Sequence, residues 1–284
     1  FADISKAVPL LTRIYPNGSA DINHFTAAGG MALLIRELLE GGLLHNDVNT
    51  ICGKGLEQYT QEPAIVNGEL VWRDGPTESF DKEVVASVKE PFKVDGGLSV
   101  LCGNLGRAVM KTSALKEPHC KIKAPAVVFE DQFELHAAFK AGELDKDCVV
   151  VVRFQGPSAI GMPELHSLTP PLAVLQDRGF KVALVTDGRM SGASGKVPAA
   201  IHVTPEAIKG GLLAKVQTGD MVELNTETGA LDMLVSDDEL AKRESKVTDV
   251  AKHQIGMGRE MFAGMRTTLT GAEQGACSLF HEQD

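Results

Sequence analysis

The sequence predicts a chain of mixed α and β structure: the end of an α/β domain, a poorly patterned stretch, and then a β-rich domain flanked by helices. Three observations predict it. An apolar run at helical spacing lies near the start, a stretch broken by Pro, Gly and charge follows, and beyond it compact apolar runs of strand length alternate with helix-like segments.

The run AAGGMALLIRELL, residues 27–39, carries apolar side chains at helical spacing and meets Gly41-Gly42, a natural C-terminal stop, so it reads as a core-facing helix. Residues 57–95 interrupt short apolar pieces with Pro, Gly and charge. The expected division is therefore 1–60 for the end of the first domain, 61–95 for a linker region and 96–284 for the second domain. Strands are expected in LSVLCGNL (98–105), APAVVFE (124–130), CVVVVRF (148–154) and KVALVTD (181–187). FELHAAFKAGEL (133–144) and PELHSLTPPLAVLQDRG (163–179) read as helices or helix-like connections between them. GDMVELNTETGALDMLV (219–235) places two alternating runs about a Thr-Gly turn, a hairpin pattern, and a helical tail is expected over 257–280.

Composition narrows the function. With 284 residues and 43% hydrophobic content the chain can bury a sizeable core and should be soluble and globular. A formal charge of -10 argues against a nucleic-acid or anionic-membrane surface as the main partner, although an anionic small molecule could bind where cations gather. No apolar run reaches the roughly 18 to 20 residues that span a bilayer. The five cysteines are widely spaced with no C-x-x-C pair, which points to neither a disulfide framework nor a zinc site and fits a reducing, cytoplasmic compartment. The opening FADISKAVPLL lacks an initiating methionine, and the chain is expected to be a fragment.

The segment richest in possible chemistry is VTDGRMSGASGKVPAAIHVTPEA, residues 185–207. A strand delivers the chain to a loop whose Gly188, Gly192 and Gly195 allow close backbone approach to a ligand, with Ser191 exposed at the strand end. Arg189 and Lys196 could meet an anion, and Thr204-Pro205-Glu206 has the make-up of a helix start. Composition alone favours a plain glycine-rich connection, since neither the Walker pattern nor the G-x-S-x-G elbow is present. A second segment, RFQGPSAIGMPELHSLTPP (153–171), also follows an apolar strand and places Glu164 after a Gly-Pro-rich loop. A carboxylate there can ligate a hard cation such as magnesium, or simply sit in the first turn of a helix; a lone glutamate does not separate the two. His166 reads as a packed or surface histidine.

Taken together, VTDGRMSGASG with HVTPEA, GMPEL and GGLSVLCGNLG resemble the C-terminal region of the family uniting dihydroxy-acid and phosphogluconate dehydratases, along nearly the whole chain. YPNGSADINHFTAAGG and ICGKGLEQYTQEP resemble its 6-phosphogluconate branch. The resemblance implies a barrel-like or swivelling β/α second domain, and a hydro-lyase converting 6-phospho-D-gluconate to 2-keto-3-deoxy-6-phosphogluconate, the entry step of the Entner-Doudoroff pathway. It also implies an iron-sulfur cluster, of 4Fe-4S type, Mg2+ or Mn2+, and a homodimer. By motif match, Ser191 corresponds to the proposed base and Glu164 to a metal ligand; Arg189, Lys196 and Gly192 are the substrate-binding candidates, with Arg153 and His24 as lesser ones. The cluster cysteines and the remaining metal ligands of relatives belong to an N-terminal domain of which this sequence carries only the closing part, so the chain alone is expected to be inactive. Alternatives are a dehydratase of a non-phosphorylated sugar acid or branched-chain dihydroxy acid, and a non-catalytic anion-binding module.

Overall fold

The structure, a computed structural model, describes residues 2–191 and 195–279. The chain divides into two compact units, one ending at Leu98 and one beginning at Ser99.

The first unit contains helices α1 (Ala2–Ala7), α2 (Ile22–Ala27) and α3 (Gly30–Glu40), a small ribbon of β1 (Asn49–Thr50) and β2 (Gly53–Lys54), and a hairpin of β3 (Gln61–Val66) and β4 (Glu69–Asp74). The helix expected over 27–39 is α3, which starts at Gly30, while Ala27 instead closes α2. Gly29 makes the break: its φ is 130°, and a Cβ there would lie 2.6 Å from Leu33 Cδ2, so a side-chain-bearing residue would be both strained and obstructed. Phe25 and Leu33 from the two helices bury against Val84 and Val85. The β3–β4 hairpin lies within 61–95, the region that patterning alone sets apart as a linker and that groups here with the first unit. Asn67 and Gly68 both take positive φ, 54° and 85°, the conformation a two-residue type I′ turn requires.

The second unit is built on a closed mixed barrel. Its strands are β5 (Leu98–Gly103), β6 (Gly106–Lys111), β7 (Lys121–Phe129), β8 (Cys148–Val152), β9 (Val182–Thr186), β10 (Ala199–Thr204), β11 (Met221–Asn225) and β12 (Ala230–Met233), in the order β10-β6-β5-β12-β11-β7-β8-β9. The expected hairpin is β11–β12, antiparallel from Val222↔Met233 to Asn225↔Ala230. Strands β7, β8, β9 and β10 run parallel. Two helices connect them, α4 (Gln132–Lys140) between β7 and β8 and α6 (Thr169–Asp177) between β8 and β9, the latter preceded by the short α5 (Pro157–Ile160).

Strands β8 and β9 are fully buried along their lengths because both faces are covered. Successive side chains point to opposite faces of a strand. Val149, Val151, Ala183 and Val185 accordingly fill the barrel interior, while Cys148, Val150, Val152, Val182 and Leu184 pack under the helices against Leu135, Leu172 and Leu175. Beyond the barrel come α7 (Asp237–Lys242), capped by Ser236, and α8 (Ala263–Thr267) with short 3-10 turns, so the tail expected as helical is only intermittently so; Phe280 lies outside the described residues. Thr204-Pro205-Glu206 does not open an α-helix. Thr204 ends β10, the turn that follows is 3-10 (Ala207–Lys209), and Glu206 is buried, bound by the Ser158 N–H and hydroxyl at 3.0 and 3.1 Å.

Candidate active site

Parallel strands cannot be joined by a tight turn, because the chain must return the length of the strand before pairing again. That requirement creates the loop 187–198 between β9 and β10. Two apolar side chains pin it, Met190 and Val197, both in the helix-side core with Leu165. Since Met190 points inward, its neighbours Arg189 and Ser191 are left toward solvent, the first exposed and the second partly so. Leu165 does the same for Glu164 on the loop leaving β8.

The two loops meet in a short parallel bridge, Glu164↔Arg189, supported by the Leu165 N–H donating to the Arg189 carbonyl at 3.2 Å. Around it, Glu164 is the hub. Its Oε1 accepts from the main-chain N–H groups of Ser191 and His166, each at 2.9 Å, and its Oε2 accepts from Arg189 Nη1 at 2.8 Å. Arg189 Nε donates to the Met162 carbonyl at 2.8 Å, which orients the guanidinium. Lys111, the last residue of β6, donates from Nζ to the Ser191 carbonyl at 2.5 Å. Burial pushes the Lys111 ammonium below its ordinary range, with the nearby Glu164 acting in the opposite sense. His202, in an irregular part of β10 with φ of 59°, is pushed down by burial and then by Arg189.

Behind the loops sits Asp187, fully buried at the end of β9. Its Oδ1 accepts from the Gln155 N–H at 2.8 Å, and its Oδ2 from Phe154 and Ala207 at 3.2 and 3.0 Å. One carboxylate thereby ties together the segments leaving β8, β9 and β10. Burial pushes it up to about 6, and the neighbouring Glu206 acts in the same sense.

The structure therefore brings Ser191, Glu164 and Arg189 together. Lys196 is paired elsewhere, with both oxygens of Asp177 at 3.0 and 3.1 Å on the surface end of α6. Gly192 lies outside the described residues. Arg153 is a structural cation, holding the Ala214 and Val216 carbonyls and Glu130 at 3.1 Å each. His24 belongs to the first unit, where it completes the capping box of α2 with Asp21. Sequence reasoning did not single out Lys111 or Asp187. Asp187 is the acid of VTDGR, at the junction of a buried strand and a glycine, and only its burial reveals its role. Lys111 ends a strand that was not expected, 80 positions from Ser191.

The donors suit at most one place in a metal shell. Glu164 Oε1 is occupied by two N–H groups, whereas Oε2 has a single partner among the described residues and the Glu164 side chain is 38% exposed. A hard cation takes six or more oxygen ligands, so Glu164 could supply one and the substrate, water or other chain the rest. No group of three or more His, Cys, Asp or Glu capable of holding a metal is found among the described residues. Burial pushes the Cys148 thiol up to about 11, which keeps it protonated and unsuited to ligation.

No helix among the described residues is long and apolar enough to cross a membrane. Residues 83–276 match the model for the C-terminal domain of dihydroxy-acid/6-phosphogluconate dehydratases, and residues 1–59 match the N-terminal model. The phosphogluconate dehydratase of Escherichia coli strain K12 is 62% identical over 279 residues, covering 98% of this chain and 46% of that protein. The phosphogluconate dehydratase of Pseudomonas aeruginosa is 58% identical over 278 residues, with the same coverage. A dihydroxy-acid dehydratase of Ignicoccus hospitalis is 36% identical over 249 residues, covering 87% of the chain and 42% of that protein. The chain thus spans less than half the length of these relatives. It belongs to the dihydroxy-acid/6-phosphogluconate dehydratase family.

Proposed function

We propose that this chain supplies the serine-bearing part of a hydro-lyase active site that dehydrates 6-phospho-D-gluconate to 2-keto-3-deoxy-6-phosphogluconate. The observation that carries the reading is the assembly of Ser191, Glu164 and Arg189 at one edge of the barrel, in a chain whose relatives named phosphogluconate dehydratase reach 62% identity. The lower identity to the dihydroxy-acid dehydratase, 36%, favours the phosphorylated sugar acid over a branched-chain acid.

Dehydration of a 2,3-dihydroxy acid removes the C2 proton and the C3 hydroxyl, and the resulting enol becomes the 2-keto acid. In this reading Ser191 takes the C2 proton. A serine hydroxyl is a weak base and needs positive charge nearby to act as one. Arg189 is anchored two residues away by Glu164 and Met162. Glu164 fixes the Ser191 peptide through its N–H and keeps part of Oε2 available for a divalent cation. A bound Mg2+ or Mn2+ would stabilise negative charge developing beside the substrate carboxylate, and an iron-sulfur cluster would accept the departing hydroxide. The cluster is assigned to the part of the full-length protein outside this chain. Lys196 remains a phosphate-binding candidate, because an exposed ion pair of its kind contributes only about 0–1 kcal/mol and is easily exchanged for a substrate oxygen. The full-length protein is proposed to act as a cytoplasmic homodimer.

The test is turnover of 6-phosphogluconate, gluconate and a branched-chain dihydroxy acid by the full-length protein. Preference for the phosphorylated acid is the expected result. Equal or better use of a non-phosphorylated acid would overturn the substrate assignment, and binding of phosphogluconate without any turnover would favour an anion-binding module.

A further inference from the structure

The Ser191 main chain is held on both sides of its Cα. Its N–H donates to Glu164 Oε1 at 2.9 Å, and its carbonyl accepts from Lys111 Nζ at 2.5 Å. The two grips come from separate parts of the chain: Glu164 follows β8, whereas Lys111 ends β6. The antiparallel pairing Ala200↔Met110 and Ile201↔Val109 places the end of β6 against the start of β10, the strand into which the loop 187–198 runs. Lys111 is therefore delivered to the loop by the barrel itself.

A loop fastened only by Met190 and Glu164 would have its Ser191 N–H fixed but its Ser191 carbonyl, across the Cα, still able to turn. Fixing the carbonyl as well as the N–H removes that freedom and sets the direction in which the Ser191 side chain leaves the main chain. A charged donor suits the task, since hydrogen bonds from an ionised group are about twice as strong as neutral ones. An ammonium also has three donors, so one can hold the carbonyl while the others stay available.

We propose that Lys111 is a positioning residue for the reaction, acting through the Ser191 main chain as the second half of a clamp whose first half is Glu164. The proposal rests on Ser191 being the base. In the full-length protein, Lys111→Met is expected to lower kcat about 100-fold, the scale of losing one preorganised donor, while KM for 6-phosphogluconate changes little. Hydrogen–deuterium exchange of peptides covering 187–198 should quicken about tenfold, as expected for losing one charge-assisted hydrogen bond. Lys111→Arg, which keeps a charged donor, should recover part of both, and it carries the test if Lys111→Met fails to fold. Unchanged exchange in 187–198 would overturn the clamp, and faster exchange with undiminished kcat would overturn its role in the reaction. If the unsubstituted full-length protein does not dehydrate 6-phosphogluconate, the functional reading fails separately, and the exchange measurement still decides whether Lys111 holds the loop.

Discussion

Asp187 Oδ2 accepts the main-chain N–H of Ala207 at 3.0 Å, so the segment leaving β9 is fastened to the turn that follows β10. The same carboxylate holds Phe154 and Gln155 after β8. Replacing Asp187 by Ala would leave three main-chain N–H groups without this acceptor. At about 1–3 kcal/mol for each buried group left unsatisfied, a loss of several kcal/mol is expected, measured as a fall in the urea midpoint.

Asp187 also imposes a pH dependence of definite sign. Its folded value, about 6, lies above the ordinary 3.8, so between these limits the folded protein binds more protons than the unfolded one. Stability contributed by the protonated group is full below pH 3.8 and declines as pH rises toward 6. The two-unit difference corresponds to about 3 kcal/mol. Urea titrations at several pH values should show this slope, superimposed on the other groups, and Asp187→Asn should flatten it. An unchanged slope would refute the assignment.

Ser191→Ala in the full-length protein is expected to cut kcat about 10²–10⁴-fold, the usual contribution of a positioned general base, with KM little altered. Near-normal turnover would remove Ser191 from the base role.

Gly188 is required by space. A Cβ there would meet Gln155 Cβ, which cannot move without its main chain, and a methyl of the fully buried Leu165, Cδ1, each at 2.7 Å. Gly188→Ala should cost about 1–3 kcal/mol, the typical penalty of overpacking, and should displace the Glu164 loop through Leu165. Thermal melting together with magnesium affinity in the full-length protein would show both effects.

Lys196→Met should change stability by less than about 1 kcal/mol, because its partner Asp177 is 65% exposed. A rise in KM for 6-phosphogluconate without a change in melting temperature would then report phosphate binding. An unchanged KM would strike Lys196 from the candidates.

Much of the second unit was legible in the sequence because short apolar runs rich in β-branched residues, such as CVVVV and VALVT, suit strands covered on both faces. The β11–β12 hairpin was legible through alternation. Strand β10 was hidden inside the catalytic-looking motif, where glycines and serines drew attention away from AAIHVT. Strand β6 was hidden because GRAVMK offers only a weak alternation. The β3–β4 hairpin did announce itself in VNGEL, an Asn-Gly turn between apolar runs, but the surrounding Pro and charged residues obscured it. Of the site, Ser191, Glu164 and Arg189 stood out by local pattern and took their roles from motif resemblance, whereas Lys111 depends on barrel closure and could not be read from local pattern.

The four consecutive valines of β8 have a consequence for how the barrel is threaded. Because they are identical, shifting the strand by one position would replace valine with valine in both cores, and hydrophobicity alone would hardly object. Resistance comes from the strand's last neighbour. Arg153 is locked to Ala214, Val216 and Glu130, and a one-step slide toward its own N-terminus would draw the guanidinium into an apolar layer. Arg153 thus acts as a stopper on a uniform strand, setting where β8 ends and the chain toward Glu164 begins.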